Sequence, residues 1–272
     1  METKDFEQKV VIITGASSGI GKACALEFSK KGAKIVLAAR SEAPLREVRE
    51  TIIQNGGEAV IIPTDVRVES DCELLIQKTI ELYGKIDILI NNAGISMRAS
   101  FAEVKLSVFK EVMETNFYGA VYCTKFALPY LLEQKGLVIG ISSITGLTPL
   151  PGRTAYAASK HALDGFLNTL RIENMKKGLR VLVVHPGFTS SNIRTQALNK
   201  KGNPQNHTPR DEEKMMTPEE VAGIILRAIL NQERDIILTT KGKLAVWMYN
   251  RFPAITDRLI YNEMAKEPDA PI

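Results

Sequence analysis

The chain has 272 residues, 44% apolar and 24% charged, which is too apolar for a disordered protein and long enough for one large domain or two small ones. Its longest stretch without Asp, Glu, Lys or Arg ends at Gly152, contains Ser, Thr, Pro and Gly, and falls short of the roughly 20 apolar residues of a membrane span. The net charge of +4 comes from 35 basic and 31 acidic residues scattered without a basic stripe, so nucleic acid is not expected as a partner.

Charges run up to Lys9 with no apolar core or small-residue cleavage site, so the expected compartment is the cytoplasm. Short apolar runs rich in Val, Ile and Leu then predict seven strands, at Val10–Thr14, Lys34–Ala39, Glu58–Pro63, Ile86–Ile90, Leu137–Ile141, Arg180–His185 and Asp235–Thr239. Helices are predicted between them over Lys22–Lys31, Ser41–Gln54, Glu69–Tyr83, Ser107–Gln134 and Thr154–Lys176. Strict alternation of this kind argues for an α/β fold, a doubly wound sheet of mainly parallel strands in one domain spanning 1–272. Cys24, Cys72 and Cys123 lack paired or metal-like spacing and are expected to be buried thiols, so no metal site is indicated.

The alternation fails after His185-Pro186-Gly187. From Arg194 to Lys214 only Ala197 and Leu198 are apolar, so residues 186–217 read as a substrate loop, mobile in that part. Thr217-Pro218-Glu219-Glu220 has the form of a capping box with Pro at the first helical position, and predicts a helix to Gln232.

Two segments carry chemistry. The first strand runs into Gly15-Ala16-Ser17-Ser18-Gly19-Ile20-Gly21 and a helix, an order that aims free N–H groups and a helix dipole at one anion. A dinucleotide pyrophosphate fits. The second strand ends in Arg40-Ser41, where an acidic residue would select the ribose hydroxyl of NAD, whereas a guanidinium suits the 2′-phosphate of NADP(H). The other segment is Tyr156-Ala157-Ala158-Ser159-Lys160, whose Tyr and Lys share one helix face, with Ser142-Ser143 at the end of the fifth strand as donors for an oxygen. An ammonium beside a phenol lowers its pKa toward the range of a useful base.

Taken together and in order, these motifs resemble the short-chain dehydrogenases/reductases from about Val10 to Ile193. The glycine motif of that family matches Thr14 to Gly21, including Gly15, Ser17, Ser18, Gly19, Ile20 and Gly21. Its adenine-contacting Asp matches Asp65, followed by Val66, and its strand-end motif matches Asn91-Asn92-Ala93-Gly94. The resemblance implies four catalytic residues. Tyr156 exchanges a proton with the substrate oxygen, Ser143 orients that oxygen, Lys160 binds the nicotinamide ribose and depresses the phenol pKa, and Asn116 holds a relay water. Asn116 has the alternative of bridging helix and strand backbone. Pro186 and Gly187 match the turn beside the nicotinamide, followed by Thr189 and by Ser191 in place of the family's Thr. A basic residue at Arg40 is similar to the NADP-using subtypes, and the family habit is a homodimer or homotetramer built on the helices holding Asn116 and Tyr156.

Residues 241–272 form an apolar C-terminal extension. Leu244–Asn262 has 12 apolar residues in 19, with Lys241, Lys243, Arg251 and Arg258 around it. It reads as a helix pair broken at Pro253 that serves as peripheral membrane contact, lid or oligomer contact. Beside an NADP-type site it is similar to the subgroup that reduces lipophilic ketones, such as 3-ketosphinganine-like or steroid-like ones. A 3-oxoacyl carrier-protein reductase, an NAD-linked alcohol dehydrogenase and a nucleotide-sensing scaffold are the alternatives. His161 and His185 read as structural, Asp211-Glu212-Glu213 as solvated, and Asn206-His207-Thr208 as a chance glycosylation match.

Overall fold

The computed structural model describes residues 6–208, 215–267 and 269–271. Strands β1 (Val10–Thr14), β2 (Lys34–Ala39), β3 (Glu58–Pro63), β4 (Ile88–Asn91), β5 (Leu137–Ile141), β6 (Arg180–His185) and β7 (Asp235–Ile237) form one sheet in the order β3-β2-β1-β4-β5-β6-β7. Every pairing is parallel. The order reverses between β1 and β4, and the crevice beyond the strand ends at such a switch point is where open α/β sheets bind ligands.

Period-two alternation sends the side chains of each strand into two separate cores. Val11 and Ile13 of β1 join a layer with helices α1 (Gly19–Lys30), α2 (Glu42–Gln54) and α7 (Pro218–Leu230). Val10 and Ile12 face the opposite layer, covered by α3 (Glu69–Tyr83), α5 (Gly119–Glu133) and α6 (Thr154–Glu173). Cys24 lies in the first layer and Cys72 and Cys123 in the second, all three free and buried as expected.

Several boundaries differ from the pattern-based expectation for physical reasons. The fourth strand starts at Ile88, because the buried Asp87 accepts from Val10 N and from the ammonium groups of Lys9 and Lys85. The long helix expected over Ser107–Gln134 is α4 (Leu106–Met113), a π-helical turn at Glu114–Tyr118, and α5. The capping box forms as expected, with Glu220 N donating to Thr217 Oγ1 at 3.2 Å and Thr217 N to Glu220 Oε2 at 2.8 Å.

The described part of the segment expected to be mobile is anchored at its two apolar residues. Ala197 and Leu198 are buried, Leu198 N donates to Ser96 O, and Arg98 N donates to Leu198 O. Its two apolar side chains suffice because the neighbouring backbone supplies partners for their main-chain groups. The acidic triplet at 211–213 lies outside the described residues. Beyond β7, α8 (Thr240–Arg251) and α9 (Pro253–Met264) form the expected pair with its break at Pro253. After α9 the chain returns to the sheet's ligand edge. Arg98 pairs there with Glu267 at 3.5 Å, and Pro271 lies against Gly152. Among the described residues no helix is long and apolar enough to cross a membrane.

Candidate active site

β1 delivers Gly15 and Gly19 in the left-handed region, at φ +65° and +54°, the turn that brings α1 back across the strand end. Ser18 precedes the helix with extended backbone and makes no side-chain cap, and the first turn carries no acidic residue, so N–H groups face outward beside Ser17 and Ile20. A Cβ at Gly21 would fall on the Asn92 amide and on Gly15 O. The turn is tied to the end of β4: Asn92 Nδ2 donates to Thr14 O (2.9 Å) and Gly15 O (3.1 Å), while Asn92 N and Ala93 N both donate to Thr14 Oγ1. The sequence placed these motifs 78 residues apart, and the sheet makes them one unit.

Arg40 and Ser41 sit exposed at the end of β2, and Val66 is buried against Gly119. Arg67, which the sequence reading did not single out, clamps Asp65 with Nη2 at 2.6 Å and Nε at 3.0 Å. That hydrogen bonding, with the charges of Arg67 and Arg40, holds the Asp65 carboxyl below its usual range. Two guanidinium groups therefore stand near Asp65, and one of them pairs with it directly. The only signal was a cation two residues after Asp65.

Ser143 follows β5, and its hydroxyl accepts from Thr145 N at 3.1 Å in the short 3-10 turn behind it. Tyr156 and Lys160 stand one turn apart on α6, with the ammonium 5.7 Å from the phenol ring centroid. Lys160 Nζ donates to Ile141 O at 2.7 Å and lies over the Tyr156 ring. Burial pushes the Tyr156 phenol up, against a hydrogen bond with Ser143 and the nearby charge of Arg153. Burial also pulls Lys160 down to about 8.

Asn116 occupies the π-helical turn, a local irregularity that re-aims side chains and recurs at functional sites. It acts as the bridge given above as the alternative. Its Oδ1 accepts from Ile95 N at 2.8 Å, and Nδ2 donates to Ile95 O (2.9 Å) and Ser159 Oγ (3.0 Å). Both amide protons are spent, leaving one lone pair on Oδ1 for a water. Gly94 lies beside this amide and the Lys160 ammonium. Pro186 O accepts from Ile144 N, which joins the Pro186-Gly187 turn to the loop after Ser143. Thr189 is buried and bridged to Met216, and Ser191 reaches the cradle beside Gly19. Next to Tyr156 an apolar cluster of Met97, Val108, Ala155 and Leu198, with Ile95 and Phe109, walls the ligand edge.

The family model described as short chain dehydrogenase matches residues 9–202. A relative described as 11-beta-hydroxysteroid dehydrogenase A, from Sesamum indicum, is 35% identical over 98% of this chain and 79% of its own length. An alcohol dehydrogenase from Thermococcus sibiricus, solved in complex with 5-hydroxy-NADP, shares 27% identity at a TM-score of 0.74, over 85% of this chain and 96% of that one. A Burkholderia phymatum short chain dehydrogenase/reductase solved with NAD shares the fold at a TM-score of 0.83 and 23% identity, over 92% of this chain and 96% of that one. With a matching family model over most of the sheet and a cradle shaped for a dinucleotide, this chain belongs to the short chain dehydrogenase family of nicotinamide-dependent oxidoreductases.

Proposed function

We propose that the chain is an NADP(H)-dependent reductase of a lipophilic, steroid-like ketone. The observation that carries the reading is the convergence of Ser143, Tyr156 and Lys160 on one spot beside the glycine cradle. Arg40 and Arg67 at the far end of the cradle support NADP(H) over NAD(H). The apolar wall at Met97, Val108 and Leu198 and the named activity of the sesame relative support a steroid-like substrate.

The residues fit a dinucleotide: the cradle leaves no room for side chains at Gly15 and Gly21, and the first turn of α1 offers unpaired N–H groups. When bound, the nicotinamide supplies the hydride for the carbonyl carbon. Gly15, Ser17, Ser18, Gly19, Ile20 and Gly21 would hold its pyrophosphate, Asp65 and Val66 its adenine, and Asn92, Ala93, Gly94, Pro186, Gly187, Thr189 and Ser191 its nicotinamide half. Ser143 donates a hydrogen bond to the substrate oxygen, and Tyr156 gives that oxygen its phenol proton, so ketone, hydride and proton balance as a secondary alcohol. A phenol held above its ordinary value stays protonated at neutral pH, which suits the acid of a reduction. Lys160 holds the ribose and carries the positive charge that steadies the phenolate left behind.

The exposed apolar residues Leu244, Trp247, Ile255 and Leu259 of α8 and α9, with Lys243, Arg251 and Arg258 among them, support peripheral contact with an anionic membrane surface from the cytoplasmic side. Flotation with phosphatidylserine vesicles, lost in Trp247→Asp, is the expected result; equal flotation of the variant would contradict it. For the cofactor, fluorescence titration should show NADPH binding at least ten times tighter than NADH, a preference that Arg40→Asp removes. Equal affinities in the parent would make Arg40 a surface residue.

A further inference from the structure

Behind the catalytic residues lies a buried polar group that the mechanism above does not use. Asp164 stands one turn beyond Lys160 on α6 and is buried, as are Ser142 at the end of β5 and His185 at the end of β6. His185 Nδ1 lies 3.2 Å from the main-chain oxygen of Ser143 and 3.7 Å from Asp164 Oδ2. A carbonyl only accepts, so Nδ1 carries the proton and donates to it. The Asp164 oxygens and Ser142 Oγ have no hydrogen bond within ordinary geometry, and a Cβ on Gly146 would fall on both side chains. The fold has therefore kept a carboxyl here and kept the space for it, although burying it with only the Ser142 hydroxyl beside it costs stability. Lys160 is the cation one turn away on the same helix, and the imidazoles of His161 and His185 also lie near the carboxyl.

We propose that Asp164 and His185 are positioning residues of this active site: Asp164 is the buried counter-charge that keeps Lys160 an ammonium, and His185 fixes the main chain of Ser143. The proposal rests on the catalytic reading of Ser143 and Lys160 given above. Burial drives both members of the pair toward neutrality, the Asp164 carboxyl upward and the Lys160 ammonium down to about 8, so the charge on each depends on the charge on the other. His161 adds a weaker field from the same helix, and His185 faces Asp164 from β6. The imidazole thus stands between the carboxyl and the serine whose hydroxyl must meet the substrate, and the residue after it, Pro186, is bonded to the residue after that serine.

The test is NADPH binding followed by fluorescence across alkaline pH in the full chain. The variants are Asp164→Asn and Asp164→Ser, with the exposed Asp257→Asn as control and thermal melting to confirm folding. In the parent, affinity falls as Lys160 loses its proton. In both Asp164 variants that midpoint should move to lower pH by about one unit, the scale of an opposite charge at close range, while Asp257→Asn leaves it in place. An unmoved midpoint in a folded variant would overturn the proposal, and so would unfolding of both variants, which would show a role in stability alone. His185→Leu gives the second arm: turnover of a steroid 11-ketone should fall about tenfold with KM unchanged, and His185→Asn, which keeps a donor, should recover part of it. Equal losses in Leu and Asn would remove His185 from the proposal. A parent that binds neither NADPH nor NADH overturns the catalytic reading itself, and this outcome is separate from the variant arms.

Discussion

At the scale of single residues, burial sets the site's chemistry more than the pairing that the sequence suggested. The spacing of Tyr156 and Lys160 was legible, but the bond from the ammonium to Ile141 O was not, because sequence does not show which carbonyl a buried side chain meets. Lys160 gives a prediction with a definite sign. Its folded value of about 8 lies below the ordinary 10.5, so between those values the unfolded chain binds the extra proton and this group's contribution to stability rises with pH. Below about pH 8 the buried ammonium costs on the order of 3 kcal/mol at most. Lys160→Met without cofactor should be more stable than the parent in urea at neutral pH, with the gap closing as pH approaches 10.5; a gap independent of pH would contradict this. Arg67 and Asp164 escaped the sequence reading, and His185 was read as structural, for one reason. Each gains its meaning from a neighbour on another turn or strand, and His185 alone looked like an ordinary strand-end histidine.

At the scale of elements, all seven strands lie where apolar runs placed them to within two residues, and the fourth starts two residues late beside the buried Asp87. The π-helical turn at Glu114–Tyr118 was invisible, since its residues have ordinary helical composition and only the bridge from Asn116 to Ile95 and Ser159 explains it. That bridge satisfies both main-chain groups of Ile95. Asn116→Ala leaves them without it and should lower stability by about 2 kcal/mol, the usual cost of stranding buried polar groups. Chemical denaturation measures the loss directly, and a variant as stable as the parent would return Asn116 to a role in proton relay alone. The turn Thr14–Gly21 was legible because glycine spacing reports backbone shape directly. A methyl at Gly21 meets the Asn92 amide and Gly15 O, so Gly21→Ala should weaken NADPH binding at least tenfold. Unchanged affinity would place the pyrophosphate elsewhere.

At the scale of the whole molecule, the sheet order and the return of the tail decide what the site can hold. The doubly wound sheet followed from alternation alone, but the path after α9 did not, because a polar tail carries no periodicity that reveals where it docks. The structure closes it onto the ligand edge through the buried pair of Arg98 and Glu267. Breaking such a pair leaves a charge in low dielectric, so Glu267→Gln should lower stability by about 3 kcal/mol and loosen the wall next to Met97. Melting close to that of the parent would show that the pair does not latch the tail.

The central claim is that a proton leaves Tyr156 as a hydride reaches a lipophilic carbonyl beside Ser143. The measurement that tests it most directly is a single turnover: the parent and Tyr156→Phe, each loaded with NADPH, are mixed with a steroid 11-ketone and cofactor oxidation is followed by absorbance. The account predicts oxidation in the parent, slowed by a factor of about 10² to 10⁴ in the variant at unchanged NADPH affinity. Equal rates in the two proteins would contradict it.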